Sequence, residues 1–272
     1  MYAGRCGLRL SLLSRAKINL SLDVFGIRAD GYHEIASVLQ SVALSDILTF
    51  ETSPAGITLR VTGGRVVTGE DNLVLRAAHL LAAETGCRRG VDITLHKNIP
   101  VAAGLGGGSA NAAAVLWGLN RLWELGLSNE RLHGLGATLG ADVPFCLAGG
   151  TSLATGRGDE LTPLPPLPEL GVLLLKQPYG ISTRAVYSAF DDLEIAWRPS
   201  ALEMAAALAR RDWRRALRHC GNALETITFR EHPELAALKR ELAGMGALCA
   251  LMSGSGPTVF GLFETLEDAA TA

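Results

Sequence analysis

The sequence predicts an α+β fold: strand and helix patterns alternate along the chain, but the connections at its start are antiparallel hairpins and not the helical crossovers of a doubly wound parallel sheet. Three observations carry the prediction. Residues 15–24 alternate strictly, with Ala16, Ile18, Leu20, Leu22 and Val24 on one face and Arg15, Lys17, Asn19, Ser21 and Asp23 on the other, the pattern of a half-buried strand. Residues 91–95 (Val-Asp-Ile-Thr-Leu) run into a glycine-rich stretch that opens an amphipathic helical pattern. The apolar runs at 171–176 and on either side of Ser253-Gly254-Ser255-Gly256-Pro257 give the far half of the chain strands of its own.

In chain order, the first strand meets the turn Arg28-Ala29-Asp30-Gly31, and a second extended segment follows from Tyr32-His33-Glu34 through Leu48-Thr49-Phe50, as in a long hairpin. Asp71 or Asn72 is placed to cap a helix that runs to about residue 83. After the 91–95 strand and the glycine stretch, a helix extends to about residue 124 with Leu116, Leu119 and Trp123 on one face. A further helix over 129–139 stops at Gly140-Ala141-Asp142-Val143-Pro144. Residues 156–168, with Gly158 and four prolines, mark the expected boundary between an N-terminal domain (1–157) and a C-terminal domain (158–272). Beyond it the pattern predicts a strand at 171–176 and helices at 183–190, 200–220 and 233–243.

At 272 residues and 48% hydrophobic, the chain is long enough to bury a sizeable core in one large domain or two modest ones. A net charge of −2 argues against general nucleic-acid binding, which leaves a basic footprint. Arg211, Arg214, Arg215 and Arg218 gather on one predicted helix and read as a solvated face. The five cysteines (Cys6, Cys87, Cys146, Cys220, Cys249) are scattered, with no C-x-x-C pair, and read as reduced core residues of a cytoplasmic protein. At the N-terminus, which carries Arg5 and Arg9, the apolar run is broken by Ser11, Ser14 and Arg15 before a secretory segment can form. The uncharged stretch 98–120 is long enough to span a bilayer, but Pro100, the four glycines between 104 and 108 and Asn111 fit a ligand loop better, so no membrane partner is expected.

That loop is Pro100-Val101-Ala102-Ala103-Gly104-Leu105-Gly106-Gly107-Gly108-Ser109-Ala110. Glycines let the backbone approach an anion, and the free N–H groups at the start of the following helix point at it with the positive end of the helix dipole. The stretch therefore reads as a phosphate cradle, with a nucleotide as its natural ligand. A Walker loop is excluded because Gly108 is followed by Ser109-Ala110 where Gly-Lys-Ser/Thr is needed. The dinucleotide fingerprint is excluded because the spacing from Gly104 reaches Gly106 and then Ser109. An ordinary flexible loop is the plain alternative, and it does not explain four nearly consecutive glycines entering a well-patterned helix at an entropic cost.

Three motifs occur in order: Ala16-Lys17-Ile18-Asn19, the glycine stretch, and Ser253-Gly254-Ser255-Gly256-Pro257-Thr258. Together they resemble the GHMP kinases over nearly the whole chain. Asp30-Gly31-Tyr32-His33-Glu34-Ile35, following the first motif, resembles the branch of that superfamily whose acceptor is a cytidine diphosphate sugar-alcohol. The resemblance implies a two-domain α+β fold, with an N-terminal domain like the second domain of ribosomal S5 protein and a ferredoxin-like C-terminal domain. It implies a small-molecule kinase with ATP on residues 100–110, Asn72 and Lys97 lining the adenine pocket, and Lys17 and Asp142 catalytic at the acceptor hydroxyl. It also implies cytosine recognition by Tyr32 and His33, and acceptor contacts from Asn19 and Thr183.

Phosphoryl transfer needs a carboxylate to orient or deprotonate the attacking hydroxyl and positive charge to stabilise the transferring group, and Asp142 and Lys17 are of the right types. Several of these residues have a second reading. Asp142, two residues before Pro144, also suits a helix N-cap, and Thr183 at a helix start suits one equally. Asn72 and Lys97 suit a cap and a strand-end charge, and residues 253–258 suit a hairpin turn. Ala110 stands where members of the superfamily commonly carry a second serine, so magnesium accompanying the ATP is expected to be held by phosphates and water, and no metal ligand is assigned. Two other functions fit the cradle: a kinase of a smaller alcohol, against which Tyr32-His33 counts, and a nucleotide sensor without chemistry, against which Lys17 and Asp142 count.

Overall fold

The structure is a computed structural model that describes residues 8–54, 56–64, 69, 71–191 and 198–272; Arg5 and Cys6 lie outside the described residues. The alternation at 15–24 belongs to a longer strand, β1 (Arg9–Ile27), and the hairpin partner is β2 (His33–Ser53). The turn between them closes with Arg28 N–H on the Tyr32 carbonyl (2.7 Å) and Gly31 N–H on the Arg28 carbonyl (3.0 Å). The expectation of a half-buried strand is corrected: on the polar face Lys17, Asn19, Ser21 and Asp23 are buried too, and only Arg15 of that set is exposed. Period-2 alternation reports which face is polar, not whether anything covers it.

Contacts divide the chain into two units that are discontinuous in sequence. The first comprises the chain up to Ala16, Ala43–Val101 and Gly106–Ala148. Its later elements are β3 (Ile57–Thr62), α1 (Leu73–Thr85), β4 (Gly90–His96), α2 (Gly107–Leu122), α3 (Asn129–Leu139) and α4 (Asp142–Ala148). β4 is antiparallel to β2, from Ile47 opposite His96 to Ser53 opposite Gly90, and parallel to β3. The sheet buries Leu48, Phe50, Ile93 and Leu95 against Ala77 and Leu81 of α1 and Leu116, Leu119 and Trp123 at the α2 face foreseen from the pattern. A side chain on Gly118 of α2 would meet Phe50 at 2.9 Å, so the helix lies close on the sheet. α3 ends at Leu139 as expected, with Gly140 as its C-cap, and α4 begins two residues later at Asp142. Pro144 falls in the first turn of α4, where its missing N–H has no helical acceptor to lose.

The second unit comprises Lys17–Val42, Ala102–Leu105 and Gly149–Ala272. It contains β5 (Thr151–Thr155), β6 (Glu160–Pro163), β7 (Gly171–Lys176), α5 (Thr183–Phe190), α6 (Ala201–Ala209), α7 (Trp213–Leu217) and β8 (Gly221–Asn222). It continues with α8 (Glu225–Glu231), α9 (Pro233–Gly244), β9 (Cys249–Met252), β10 (Thr258–Phe263) and α10 (Leu266–Thr271). β5 pairs antiparallel with β2 (Ser37 opposite Ala154) and with β6, and β8 pairs parallel with β1 at Ser21 and Gly221. β7, β10 and β9 form an antiparallel sheet in that order. Its core joins Val259 and Phe263 to Val186, Phe190, Leu235 and Leu242 from the helices.

The single boundary expected near 157 does not coincide with this grouping. Residues 156–159 are the turn of the β5–β6 hairpin, so the glycines there mark a chain reversal and not a linker. The helix expected over 200–220 is two. Arg211 adopts φ +62, outside helical geometry, and Asp212 restarts the chain as the N-cap of α7 by accepting from Arg215 N–H (3.0 Å). The four arginines therefore share no single helix face.

Candidate active site

In the first unit the glycine stretch from Gly106 onward opens α2. β4 hands the chain to Lys97, whose N–H bonds the Thr62 carbonyl (2.9 Å). The next two amides, of Asn98 and Ile99, both donate to Asp46 Oδ1 (2.7 and 2.8 Å). Gly106 sits in left-handed geometry (φ +67) as the N-cap of α2, and no side chain caps it. The first helical bond is Ala110 N–H to the Gly106 carbonyl (2.9 Å). The amides of Gly107, Gly108 and Ser109 therefore have no acceptor within the helix and face its positive end, the arrangement an anion needs. Asn72 caps α1 by accepting from Val74 N–H (2.9 Å).

Lys97 and Asp46 form an ion pair under this loop, with Asp46 fully buried and the lysine side chain 6% exposed. Lys97 Nζ also donates to Asn111 Oδ1 (3.2 Å), and Asn111 Nδ2 donates to Asp46 Oδ2 (2.8 Å) and Ser14 Oγ (2.9 Å). The network ties both ends of the cradle to β2. A side chain on Gly107 would meet Ile99 at 2.9 Å and Lys97 Nζ at 3.3 Å. Asp142 is the first residue of α4, and Gly140 just before it lies beside the α2 terminus, where an added Cβ would stand 4.0 Å from Ser109 Oγ.

In the second unit four motif segments converge. Lys17 Nζ donates to Asn19 Oδ1 (2.8 Å), Asn19 Nδ2 to Ser37 Oγ (2.9 Å), and Ser37 Oγ to the Ser21 carbonyl (2.7 Å). The Lys17 amide bonds the Leu105 carbonyl (3.0 Å), and Ser253 Oγ bonds the Gly104 carbonyl (2.9 Å). Gly254 packs so that a Cβ would be 3.6 Å from Asn19 Oδ1. Thr183 is the first residue of α5; the cap is Ser182, and Thr183 Oγ1 instead meets Ser255 Oγ at 2.9 Å. Asn222 holds the 253–256 segment in shape by donating to the Met252 and Gly254 carbonyls (2.8 and 2.7 Å) while accepting from Leu224 N–H (2.9 Å).

Tyr32 and His33 follow the β1–β2 turn. The Tyr32 amide donates to Asp30 (3.1 Å), and this bond holds the Asp30 carboxyl below the usual range. The Tyr32 ring is half exposed, with the Arg157 guanidinium 5.4 Å from its centroid. His33 is largely buried, and its Nε2 lies 2.7 Å from Asp191 Oδ1. Further along β1, burial pushes the Asp23 carboxyl up, opposed by Arg198 at 4.0 Å. Among the described residues no three His, Cys, Asp or Glu side chains are grouped to hold a metal ion.

The structure thus brings Lys17, Asn19, Gly104 and Thr183 into one hydrogen-bonded neighbourhood with the 253–256 segment, and brings Lys97 and Gly107 into another with Asp46. The contacts of Asp46, Asn111, Asn222 and Asp191 were not foreseen. Asn111 stood out only as the polar residue closing the glycine stretch, and Asp46 only as a lone carboxylate within the apolar run Val42-Ala43-Leu44-Ser45-Asp46-Ile47-Leu48.

A strand-to-helix glycine stretch with amides at the start of α2 and no Walker lysine fits a small-molecule kinase of the GHMP class. Family profiles agree: "GHMP kinases N terminal domain" matches residues 72–150 and "GHMP kinases C terminal" matches residues 204–272. Among curated relatives, 4-diphosphocytidyl-2-C-methyl-D-erythritol kinase of Pelotomaculum thermopropionicum is 51% identical over 96% of this chain and 91% of its own. The enzyme of the same name from Geobacillus kaustophilus is 47% identical over 94% and 89%. A crystal structure of 4-(cytidine 5'-diphospho)-2C-methyl-D-erythritol kinase superposes with TM-score 0.81 at 36% identity, covering 96% of this chain and 93% of that one. Homoserine kinase from Cytophaga hutchinsonii shares the fold (TM-score 0.71) at 18% identity, over 99% of this chain and 89% of that one. The chain belongs to the 4-diphosphocytidyl-2-C-methyl-D-erythritol kinase family of the GHMP kinases.

Proposed function

We propose that this chain transfers the γ-phosphoryl group of ATP to the 2-hydroxyl of 4-diphosphocytidyl-2-C-methyl-D-erythritol, giving the 2-phosphate and ADP in non-mevalonate isoprenoid precursor synthesis. The observation that carries the reading is the 51% identity to a kinase of that name across nearly the whole of both chains.

The free amides of Gly107, Gly108 and Ser109 receive the ATP phosphates, with residues 100–106 shaping the approach. Asn72 lies on the adenine side. Lys97, committed to Asp46 and Asn111, supports the loop from beneath and acts on ATP through it. Asp142 accepts the proton of the attacking hydroxyl as its oxygen bonds to the γ-phosphorus and the bond to the β,γ-bridging oxygen breaks. Lys17, oriented by Asn19, places its ammonium where the negative charge develops. Thr183 and Asn19 contact the acceptor, and Tyr32 and His33 receive its cytosine. Magnesium would be held by the ATP phosphates and water, with Ser109 Oγ the hydroxyl on the first turn of α2, because Ala110 offers none; when bound it neutralises phosphate charge. Cys87, Cys146, Cys220 and Cys249 form no disulfide among the described residues, which suits a cytoplasmic enzyme. No helix among the described residues is long and apolar enough to cross a membrane.

Incubating the chain with ATP and a panel of alcohols, with ADP release as readout, tests the reading. The cytidine-linked acceptor alone should support rapid turnover. Equal or faster turnover of homoserine or mevalonate would replace it with the smaller-alcohol kinase.

A further inference from the structure

His33 is gripped by one side of one helix. Tyr187 and Asp191 stand four residues apart on α5 and its C-cap, hence one above the other on the helix surface, and both meet the imidazole. The two ring centroids lie 4.8 Å apart at 44°, so Tyr187 limits rotation of the imidazole from its face. Asp191 Oδ1 lies 2.7 Å from Nε2 at its edge. The His33 side chain is 12% exposed and that of Asp191 29%, so water competes weakly for the pair.

An ionised carboxylate only accepts hydrogen bonds, so Nε2 must carry the proton and donate it to Asp191. In the neutral ring Nδ1 is then the acceptor. We propose that Asp191 is a positioning residue that fixes the tautomer of His33, and that the fixed Nδ1 acceptor selects a base carrying an exocyclic amino group over one carrying a carbonyl oxygen at the same place. Cytosine meets that requirement with its amino N–H. Uracil sets an oxygen lone pair against the nitrogen lone pair, and a buried acceptor left facing an acceptor is penalised. The inference rests on His33 being the base-recognising residue proposed above.

Asp191→Asn is the informative variant. It keeps the shape and one acceptor oxygen, but its amide can turn and donate to Nε2, which moves the imidazole proton to Nδ1; an amide in place of a carboxylate admits the wrong tautomer in this way in serine proteases. Inhibition by CMP and by UMP against the full acceptor is measured for the parent, Asp191→Asn and His33→Ala. The imidazole tautomer of His33 is read in parallel from nitrogen chemical shifts. The parent should show the Nε2–H tautomer and a strong preference for CMP. In Asp191→Asn both tautomers should appear, and the ratio of the UMP to the CMP inhibition constant should fall about tenfold, chiefly because CMP binds less well, with the KM for ATP unmoved. A ratio unchanged in Asp191→Asn, or equal weakening of both nucleotides, would leave Asp191 as a tie between α5 and β2 and overturn the proposal, provided His33→Ala does lose CMP inhibition. If His33→Ala keeps full CMP inhibition, the base-recognition reading itself fails, and the proposal with it.

Discussion

Replacing Gly104 by alanine asks whether the glycine stretch is locked by the 253–256 segment. Gly104 adopts φ +76, where an L-residue is strained by about 1–2 kcal/mol. Its Cβ would stand 2.1 Å from the Ser253 carbonyl oxygen, 3.1 Å from the Ser253 carbonyl carbon and 3.2 Å from the Gly256 carbonyl oxygen. All three are backbone atoms, so no rotamer change relieves the clash and the segment must retreat. The bond from Ser253 Oγ to the Gly104 carbonyl is then lost, for about 1 kcal/mol more. The sum is about 2–3 kcal/mol, or a fall in Tm of about 5 °C or more for a chain of this size. The retreating segment lies beside Asn19, the partner of Lys17, and a displacement of about 1 Å there should lower kcat/KM by about 100-fold. Thermal unfolding followed by circular dichroism, with steady-state ADP release, reads both quantities. An alanine variant that melts with the parent and turns over at the parental rate would refute the interlock.

Four further outcomes are expected. Asp142→Asn should lower kcat by about two to four orders of magnitude while a non-hydrolysable ATP analogue still binds on calorimetric titration; near-normal turnover would remove the base role. Lys17→Met should lower kcat more than it raises the acceptor KM, because the charge is needed most in the transition state, and a pure KM effect would make Lys17 a binding residue. Lys97→Met leaves Asp46 buried without a counter-charge and should cost about 3–5 kcal/mol in urea unfolding, whereas a loss below about 1 kcal/mol would mean that the three remaining hydrogen bonds to Asp46 suffice. Glu225, which accepts from Met252 N–H (2.8 Å) and pairs with Lys239 (2.6 Å), has its carboxyl pushed up by burial. The folded state then holds the proton more tightly than the unfolded one, so stability should fall as pH rises from 4.5 through the raised value, and Glu225→Gln should flatten that slope; an unchanged slope contradicts the assignment.

What could be read from the sequence followed from local periodicity and special backbone positions. The alternation of 15–24, the cap at Asn72, the helix that opens after the glycines at 106–108 and the strand at 171–176 are each set by neighbours within a few residues, and each stands in the structure. What escaped depends on distant partners. Asp46 meets Asn98 and Ile99 about fifty residues on, Asn222 meets Gly254, and Asp191 meets His33 across 158 positions. Nothing in the local sequence of Asn222 or Asp191 distinguishes them from surface residues, and the apolar run around Asp46 marks it without naming its partners. The burial of Lys17 and Asn19 was hidden for the same reason, since what covers a strand's polar face is chosen elsewhere in the chain. The break between α6 and α7 escaped because a non-glycine residue, Arg211, takes the left-handed position that sequence signals assign to glycine or asparagine.

The central claim, that one phosphoryl group passes from ATP to the 2-hydroxyl of a cytidine-linked acceptor, is tested most directly by phosphorus NMR and mass analysis of the product formed from 4-diphosphocytidyl-2-C-methyl-D-erythritol. The account predicts one new phosphomonoester on the 2-oxygen, an intact diphosphate, one equivalent of ADP, and almost no product from free methylerythritol. ADP release without a phosphomonoester, or efficient phosphorylation of free methylerythritol with indifference to CMP, would contradict it.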